Sequence, residues 1–263
     1  MASLSPNALL LSAFEQLGAV GWLFFKTLKN LFRRPREHQI LLQQLEEIGV
    51  RSMPVVSLTA AFGGLVFGFQ TYTGFHRYIG PGSEAFAGPI ITLGLAKELI
   101  PILVGLMISG RVGSSMAAEI GTMKITEQID ALHSLGANPI RYLVVPRTLA
   151  AFFMLPCLVL YGDIIGILCG YFYNVVLMGV NRVMYVQNTL MYLEIWDVAT
   201  GLIKSCVFGV VIAIVGCWQG METEGGAEGV GRATTRTVVI SSISILILNF
   251  FISKLLPSTL KGG

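Results

Sequence analysis

Residues 86–109 read FAGPIITLGLAKELIPILVGLMIS, and the fold class follows from this stretch. It is mostly apolar over the length that an α-helix needs to cross a bilayer, about 20 residues. Four further stretches share this character, namely residues 53–72, 149–176, 198–218 and 238–256. The sequence therefore predicts an all-α polytopic membrane protein with five transmembrane helices.

The composition of the 263-residue chain argues against most soluble classes of protein. Hydrophobic residues make up 54% of the chain and charged residues only 13%, whereas soluble domains average about 25% charged residues. The net charge of +3 is too small to indicate nucleic-acid binding. The few histidines and cysteines lack the spacing of metal ligands, so we expect no metal site and no catalytic centre.

The segment before the first predicted span is apolar but interrupted by polar residues. Residues 7–32 carry Glu15, Lys26 and Lys29, and an arginine-rich stretch at 33–36 follows. This pattern predicts an amphipathic helix that lies in the membrane interface. The expected divisions are an N-terminal interfacial helix and elbow (1–52), a transmembrane domain (53–256) and a C-terminal tail (257–263).

Basic residues predict the orientation, since cytoplasmic segments carry more Lys and Arg than outer segments. With the N-terminus inside, twelve basic residues fall on inner segments and four on outer segments. We therefore expect a cytoplasmic N-terminus and an outer C-terminus. The longest inner connection is then residues 110–148, and an amphipathic, Tyr-rich outer loop covers residues 177–197.

Two adjacent charges, Lys97 and Glu98, interrupt the second predicted span. A charge at the centre of a membrane helix costs about 2.5–3.5 kcal/mol on insertion scales, so neither side chain is expected to face lipid. Adjacent residues do not face each other on a helix, so each charge needs either a partner elsewhere or a polar cavity. A binding site for a polar or anionic head group and a structural ion pair between spans are both possible. Asp163 and Lys204, in the third and fourth spans, could pair in the same way, or Lys204 could extend its ammonium outward to the interface.

Glycines recur at four-residue spacing in the predicted spans, as at Gly64 and Gly68 and at Gly162, Gly166 and Gly170. Such stripes let helix backbones approach closely. Close packing is the simpler interpretation, and a moving or dimerising interface is the alternative.

Residues 225–236, GGAEGVGRATTR, are a near match to a phosphate-binding P-loop. Arg232 stands where the motif needs Lys, and Ala233 stands where it needs a Ser or Thr for Mg²⁺. The segment also precedes an apolar span and does not follow a strand. It therefore does not predict nucleotide binding, and any use of ATP must occur on another chain.

The inner connection contains AEIGTMKITEQIDALHSLGANPIRYLVVPR, residues 118–147. Its first half is compatible with a helix, and the turn at Asn138-Pro139 is expected to end that helix. Its mixed apolar and acidic faces would suit docking onto a soluble partner, and a solvated amphipathic loop is the alternative.

Several separated stretches resemble the MlaE/YrbE family of ABC permeases, in the same order and spacing. They are LAKELIPILVGLMISGRVGSSMAAEIGTM (95–123), TEQIDAL (126–132), NPIRYLVVPR (138–147) and GVGRATTRTVV (229–239). The resemblance implies a homodimeric permease subunit, not an enzyme, in the bacterial inner membrane with a periplasmic C-terminus. It also implies phospholipid or related lipid transport, a cytoplasmic ABC ATPase dimer and a periplasmic MCE-domain hexamer. No cofactor is expected on this chain, because ATP and Mg²⁺ would bind the ATPase.

Candidate functional residues follow from this resemblance. Lys97 and Glu98 match the family's basic–acidic pair near the lipid pocket, although Lys97 stands where relatives often have Arg. Phe69 and Tyr72, at the aromatic outer end of the first span, would meet lipid tails; an aromatic interface belt is the alternative. Contacts with the ATPase are expected from Glu119, Met123, Glu127 and Asp130.

An alternative function is an ion-coupled secondary transporter of an amphipathic substrate. The odd number of predicted spans and the lack of an inverted repeat argue against it.

Overall fold

The computed structural model describes residues 6–31, 38–80 and 83–256, and every regular element in these ranges is helical. Five helices are long and apolar enough to cross a membrane: Gln39–Tyr78, Ala87–Ile125, Ile140–Leu177, Ile195–Met221 and Gly226–Leu255. The predicted all-α architecture with five spans is therefore confirmed. The predicted tail at 257–263 and the arginine-rich stretch at 33–36 lie outside the described residues.

An N-terminal helix, α1 (Pro6–Leu31), precedes the spans. Its second half has two different faces, because Trp22 and Phe25 are exposed whereas Leu23 is buried. Lys26 Nζ lies 3.4 Å from the centre of the Trp22 ring, a cation–π contact. An exposed surface with aromatic and basic side chains is typical of a helix at a membrane interface.

The last segment of the first long helix begins at residue 53, where the sequence predicted the first span to begin. A short helix, α2 (His38–Ile48), leads through one 3-10 turn, Val50–Ser52, into α3 (Met53–Tyr78). Pro54 lies in the first turn of α3, where the backbone N–H that proline lacks has no partner within the helix. The helix continues beyond the predicted end at residue 72.

The second span, α4 (Ala87–Ile125), is one long helix with two wide π turns, Leu95–Leu99 and Ser109–Gly113. Much of the predicted inner connection at 110–148 is therefore helical and continuous with the span.

A short helix, α5 (Gln128–Ser134), follows α4 and supports the helical interpretation of this segment. It ends before Gly136, which has a φ of 73°. The expectation that Asn138 ends this helix is wrong. The Asn138 side chain accepts the backbone N–H of Ile140 at 3.0 Å, and so helps to begin the third span, α6 (Ile140–Leu177).

The third span is far longer than a bilayer requires. Its 38 residues correspond to roughly 57 Å at 1.5 Å per residue, against about 30 Å for the hydrocarbon core. The helix is assigned without interruption through Pro156. Tilt of the helix and projection beyond the bilayer would both accommodate the excess length.

The outer loop contains a helix, α7 (Arg182–Tyr192), that packs against the start of α4. Tyr185 is buried there beside Gly88, and its ring meets the ring of Tyr171 edge-on. Burial and the nearby Tyr171 raise the pKa of Tyr185 to about 12, so this phenol stays neutral at physiological pH. The fourth and fifth spans, α8 (Ile195–Met221) and α9 (Gly226–Leu255), complete the described chain.

The chain divides into two compact units. Among the described residues, the first unit comprises 6–31, 38–44, Ser109–Ala151 and Val210–Ser241, and the second comprises 45–80, 83–108, Phe152–Gly209 and 242–256. A buried core cluster in the first unit brings α1, α4, α5, α6 and α8 together through Leu23, Ile120, Ile129, Leu143, Val144, Ile214, Cys217 and Trp218.

Glycines let helices of the second unit touch backbone to backbone. A Cβ added at Gly64 on α3 would collide with main-chain atoms of Gly166 on α6. One added at Gly170 would lie 2.9 Å from Ile91 Cγ2 on α4. The small-residue stripe predicted on α6 thus packs against neighbouring spans.

Gly64→Ala is expected to destabilise the protein by about 1–3 kcal/mol, because the added methyl group overlaps the Gly166 backbone. Gly74→Ala is the matched control on the same helix, since nothing lies within 4 Å of an added Cβ there. Thermal unfolding in detergent measures both variants. Equal midpoints would contradict the close approach of α3 and α6.

Candidate functional site

The charged pair of the second span lies on the π turn of α4, in the second unit. Lys97 Nζ is 3.4 Å from Asp197 Oδ1 on α8, and Glu98 Oε2 is 2.8 Å from Lys204 Nζ on the same helix. Each charge thus has its partner on another span, as the sequence predicted. The predicted pairing of Asp163 with Lys204 is wrong, because Lys204 pairs with Glu98. Both carboxyl oxygens of Asp163 lack a hydrogen-bond partner within the described ranges.

Lys204 is fully buried and holds two groups of α4 at once. Besides its ion pair with Glu98, its ammonium donates to the backbone carbonyl of Lys97 at 2.9 Å. In an α-helix that carbonyl would accept the N–H four residues later, but Pro101 has no N–H. Lys204 therefore supplies a donor to this carbonyl and neutralises Glu98, which ties the π turn to α8.

The fifth span adds two polar contacts to Glu98. Asn249 Nδ2 donates to Glu98 Oε2 at 3.1 Å, and Ser253 Oγ donates to Oε1 at 3.0 Å. The Glu98 side chain is nevertheless 38% exposed, so one edge of the carboxylate stays open. We call the six residues Lys97, Glu98, Asp197, Lys204, Asn249 and Ser253 the charged network.

Sequence reasoning did not find Asp197, Asn249 or Ser253. Asp197 lies seven residues before Lys204, and Asn249 lies four residues before Ser253. Both spacings place two polar side chains on one helix face. Polar residues repeated at helical spacing within an apolar span were therefore a usable signal for a shared polar partner.

A groove of about 590 Å³ lies beside α3 and α4 in the same unit. Its lining is almost entirely apolar and consists of Leu58, Thr59, Phe62, Gly63, Val66, Phe67, Gln70, Leu99 and Leu103. Leu99 directly follows Glu98 along α4, and none of the six residues of the charged network is among those that line the groove.

The aromatic candidates Phe69 and Tyr72 do not line this groove. Phe69 packs edge-on against Tyr173 on α6, with ring centres 5.9 Å apart. Tyr72 stacks on His76, with ring centres 5.8 Å apart. Contact of Phe69 and Tyr72 with lipid stays a prediction. A nearby aromatic residue of α3, Phe67, does line the groove.

Two of the candidate ATPase contacts are held by the first unit itself. Glu119 Oε2 accepts from Arg147 Nη2 at 2.7 Å, and Arg147 is buried and also donates to the Leu143 carbonyl. Met123 packs against the core cluster of this unit. Both residues therefore help to hold α4 against neighbouring helices.

The other two candidates are exposed around α5. Glu127 directly precedes this helix in a left-handed backbone conformation, with a φ of 57°. Asp130 pairs with Lys124 at 3.3 Å but remains largely open to solvent. Ile129 anchors α5 in the core cluster, which leaves the acidic side of the helix free for a partner.

Comparisons with known proteins agree on one family. The sequence model described as "Permease MlaE" matches residues 41–255. A probable ABC transporter permease of Rickettsia typhi is 45% identical over 242 residues, covering 92% of each chain. A probable ABC transporter permease of Synechocystis is 40% identical over 243 residues, covering 92% of this chain and 91% of the relative.

A more distant relative comes from a plant. The protein TRIGALACTOSYLDIACYLGLYCEROL 1, chloroplastic, of Arabidopsis thaliana is 38% identical over 212 residues, covering 81% of this chain and 60% of the relative.

Proposed function

Because this chain belongs to the MlaE family of ABC transporter permeases, we propose that it moves a phospholipid or related lipid between the bacterial inner membrane and a periplasmic MCE-protein conduit. It is a permease subunit and not an enzyme, and a separate chain hydrolyses ATP. Family membership thus replaces the alternative of an ion-coupled secondary transporter. A lipid substrate is supported by the Arabidopsis relative, which is named after the lipid trigalactosyldiacylglycerol.

The observation that carries the proposal is the apolar groove beside α3 and α4, the helix that also carries Lys97 and Glu98. An acyl chain is stabilised on apolar surface, and a phosphate head group is stabilised by cations. Leu58, Phe62 and Val66 line the groove and remain exposed to receive a lipid tail. Within the described ranges Lys97 forms one ion pair, at 3.4 Å, so its ammonium can exchange Asp197 for a lipid phosphate.

The proposed assembly contains two copies of the permease. α9 is the least buried of the five spans, and its exposed residues Ile243, Ile247 and Phe250 recur at helical spacing. This apolar face is suited to contact a second copy around a shared lipid path. An MCE hexamer on the outer side and an ABC ATPase dimer on the cytoplasmic side complete the proposed transporter.

In the proposed mechanism the chain does no covalent chemistry. A lipid enters the groove, and closure of the ATPase dimer moves α5, which acts as the coupling helix. The groove then narrows and the lipid passes between the permease and the MCE hexamer. The excess of basic residues on the inner segments supports a cytoplasmic N-terminus and a periplasmic C-terminus.

Val66→Trp is expected to lower the amount of bound lipid several-fold, because the indole fills the groove. Val66 is 53% exposed, so the larger side chain need not disturb the core. Leu168→Trp is the matched control, since Leu168 is 60% exposed on α6 and does not line the groove. Quantitative lipid mass spectrometry of the natively purified complex measures the effect. Unchanged lipid content in Val66→Trp would overturn the assignment of the groove.

A further inference from the structure

The turn between the fourth and fifth spans holds a polar cavity that lipid transport through the groove does not use. The cavity has a volume of about 350 Å³ and lies within the first unit. A short connection joins α8, which ends at Met221, to α9, which begins at Gly226. Because both helices are long enough to cross a membrane, the cavity lies where both spans end, at the surface of the bilayer.

Charges of both signs line this cavity in equal number. Arg232 and Arg236 come from α9, and Glu222 and Glu224 come from the turn. The two arginines are four residues apart on one helix face, where like charges repel each other. Arg232 is neutralised by Glu228 at 2.6 Å. Arg236 has neither an ion pair nor a hydrogen bond from its side chain within the described ranges, so its guanidinium is free to bind an anion.

A buried amide provides a second, independent indication of a ligand. Gln219 is only 7% exposed and borders the cavity. Its side chain forms no hydrogen bond to any described part of the chain. Its amide therefore has hydrogen-bonding capacity that a ligand in the cavity can use.

We propose that this cavity binds the head group of an aminophospholipid that carries both a phosphate and a primary ammonium. The phosphate binds the free guanidinium of Arg236, with Arg232 one turn earlier on the same helix face, and the ammonium lies between Glu222 and Glu224. Gln219 donates its amide to the phosphate. A purely anionic head group would leave Glu222 and Glu224 without a counter-charge. A primary ammonium, unlike a quaternary one, can also donate hydrogen bonds to both carboxylates.

This head-group site is separate from the apolar groove, because all of its residues belong to the first unit and all groove residues belong to the second. Lipid in this cavity is therefore distinct from lipid in the groove. The proposal holds whatever substrate the groove carries.

Native mass spectrometry of the full chain in its purified transporter complex tests the site. The probes are short-chain phosphatidylethanolamine, phosphatidylcholine and phosphatidylglycerol, with free phosphoethanolamine and inorganic phosphate as soluble comparisons. We expect phosphatidylethanolamine to bind about tenfold more tightly than the other two lipids. A tenfold difference in affinity is about what one charged contact contributes. Arg236→Gln is expected to reduce that binding about tenfold, whereas the exposed Arg51→Gln is the control and leaves it unchanged.

The glutamates provide a separate test that does not depend on the arginines. Glu222→Gln combined with Glu224→Gln is expected to remove the preference for phosphatidylethanolamine over phosphatidylcholine and phosphatidylglycerol. Both side chains are exposed, so the substitutions leave the fold intact. Equal binding of the three lipids to the unmodified protein, or undiminished binding to Arg236→Gln, would overturn the proposal. Inorganic phosphate that binds as tightly as phosphatidylethanolamine would identify a simple anion site and would also overturn it.

Discussion

Lys204→Met is expected to lower the free energy of unfolding by about 3 kcal/mol and to abolish transport. The substitution leaves Glu98 without its counter-ion and the Lys97 carbonyl without its ammonium donor. Breaking a buried ion pair by removing one partner costs about 3–5 kcal/mol. Because Glu98 is 38% exposed and can recruit water, the lower end of that range applies. Thermal unfolding of the purified protein and a lipid transfer assay measure the two effects.

The double variant Glu98→Gln with Lys204→Met distinguishes the cost of an unpaired charge on Glu98 from the cost of losing the Lys204 side chain. It removes both charges, and the carbonyl oxygen of the introduced amide can still accept from Asn249 and Ser253. We therefore expect it to unfold at a higher temperature than Lys204→Met alone. Lys254→Met, at an exposed lysine on α9, is the control and should behave like the unmodified protein. If the double variant proved no more stable than the single one, the uncompensated Glu98 would not be the cause of the loss.

The sequence predicted the number of spans because an apolar run of about 20 residues has the length of a helix that crosses a bilayer. It predicted the ends of the helices less well. α4 continues to Ile125 although its apolar part stops near Ser109. A helix can extend into water wherever its backbone hydrogen bonds continue and one face is packed, and hydropathy does not record either condition.

The sequence also identified Lys97 and Glu98, because their insertion cost requires a partner. It could not identify the partners themselves. Lys204 could meet either of two acidic residues, Asp163 on α6 or Glu98 on α4. Which of them it meets depends on the rotation of the helices about their axes. In the structure, the Lys204 ammonium lies against the backbone carbonyl of Lys97. In an α-helix the donor to that carbonyl would be residue 101, which is a proline and has no N–H. Such a contact joins residues 107 positions apart in the chain.

The four candidate ATPase contacts differ in how much of each side chain is free for a partner. Glu119 is paired with buried Arg147, and Asp130 is paired with Lys124. Glu127 is exposed, and its side chain forms no ion pair or hydrogen bond to the described residues. If α5 is the coupling helix, Glu127 is therefore the acidic group most available to a basic surface on the ATPase.

Glu127→Lys is expected to reduce the ATPase that co-purifies with the permease about tenfold, because a new positive charge repels the basic surface of the partner. The left-handed φ of 57° strains Glu and Lys alike, so the permease itself should fold as before. Glu46→Lys introduces the same change in charge at an exposed site on α2 and is the matched control. Glu119→Gln should instead lower thermal stability, because Arg147 loses its carboxylate. An undiminished amount of ATPase with Glu127→Lys would show that α5 does not dock through this residue.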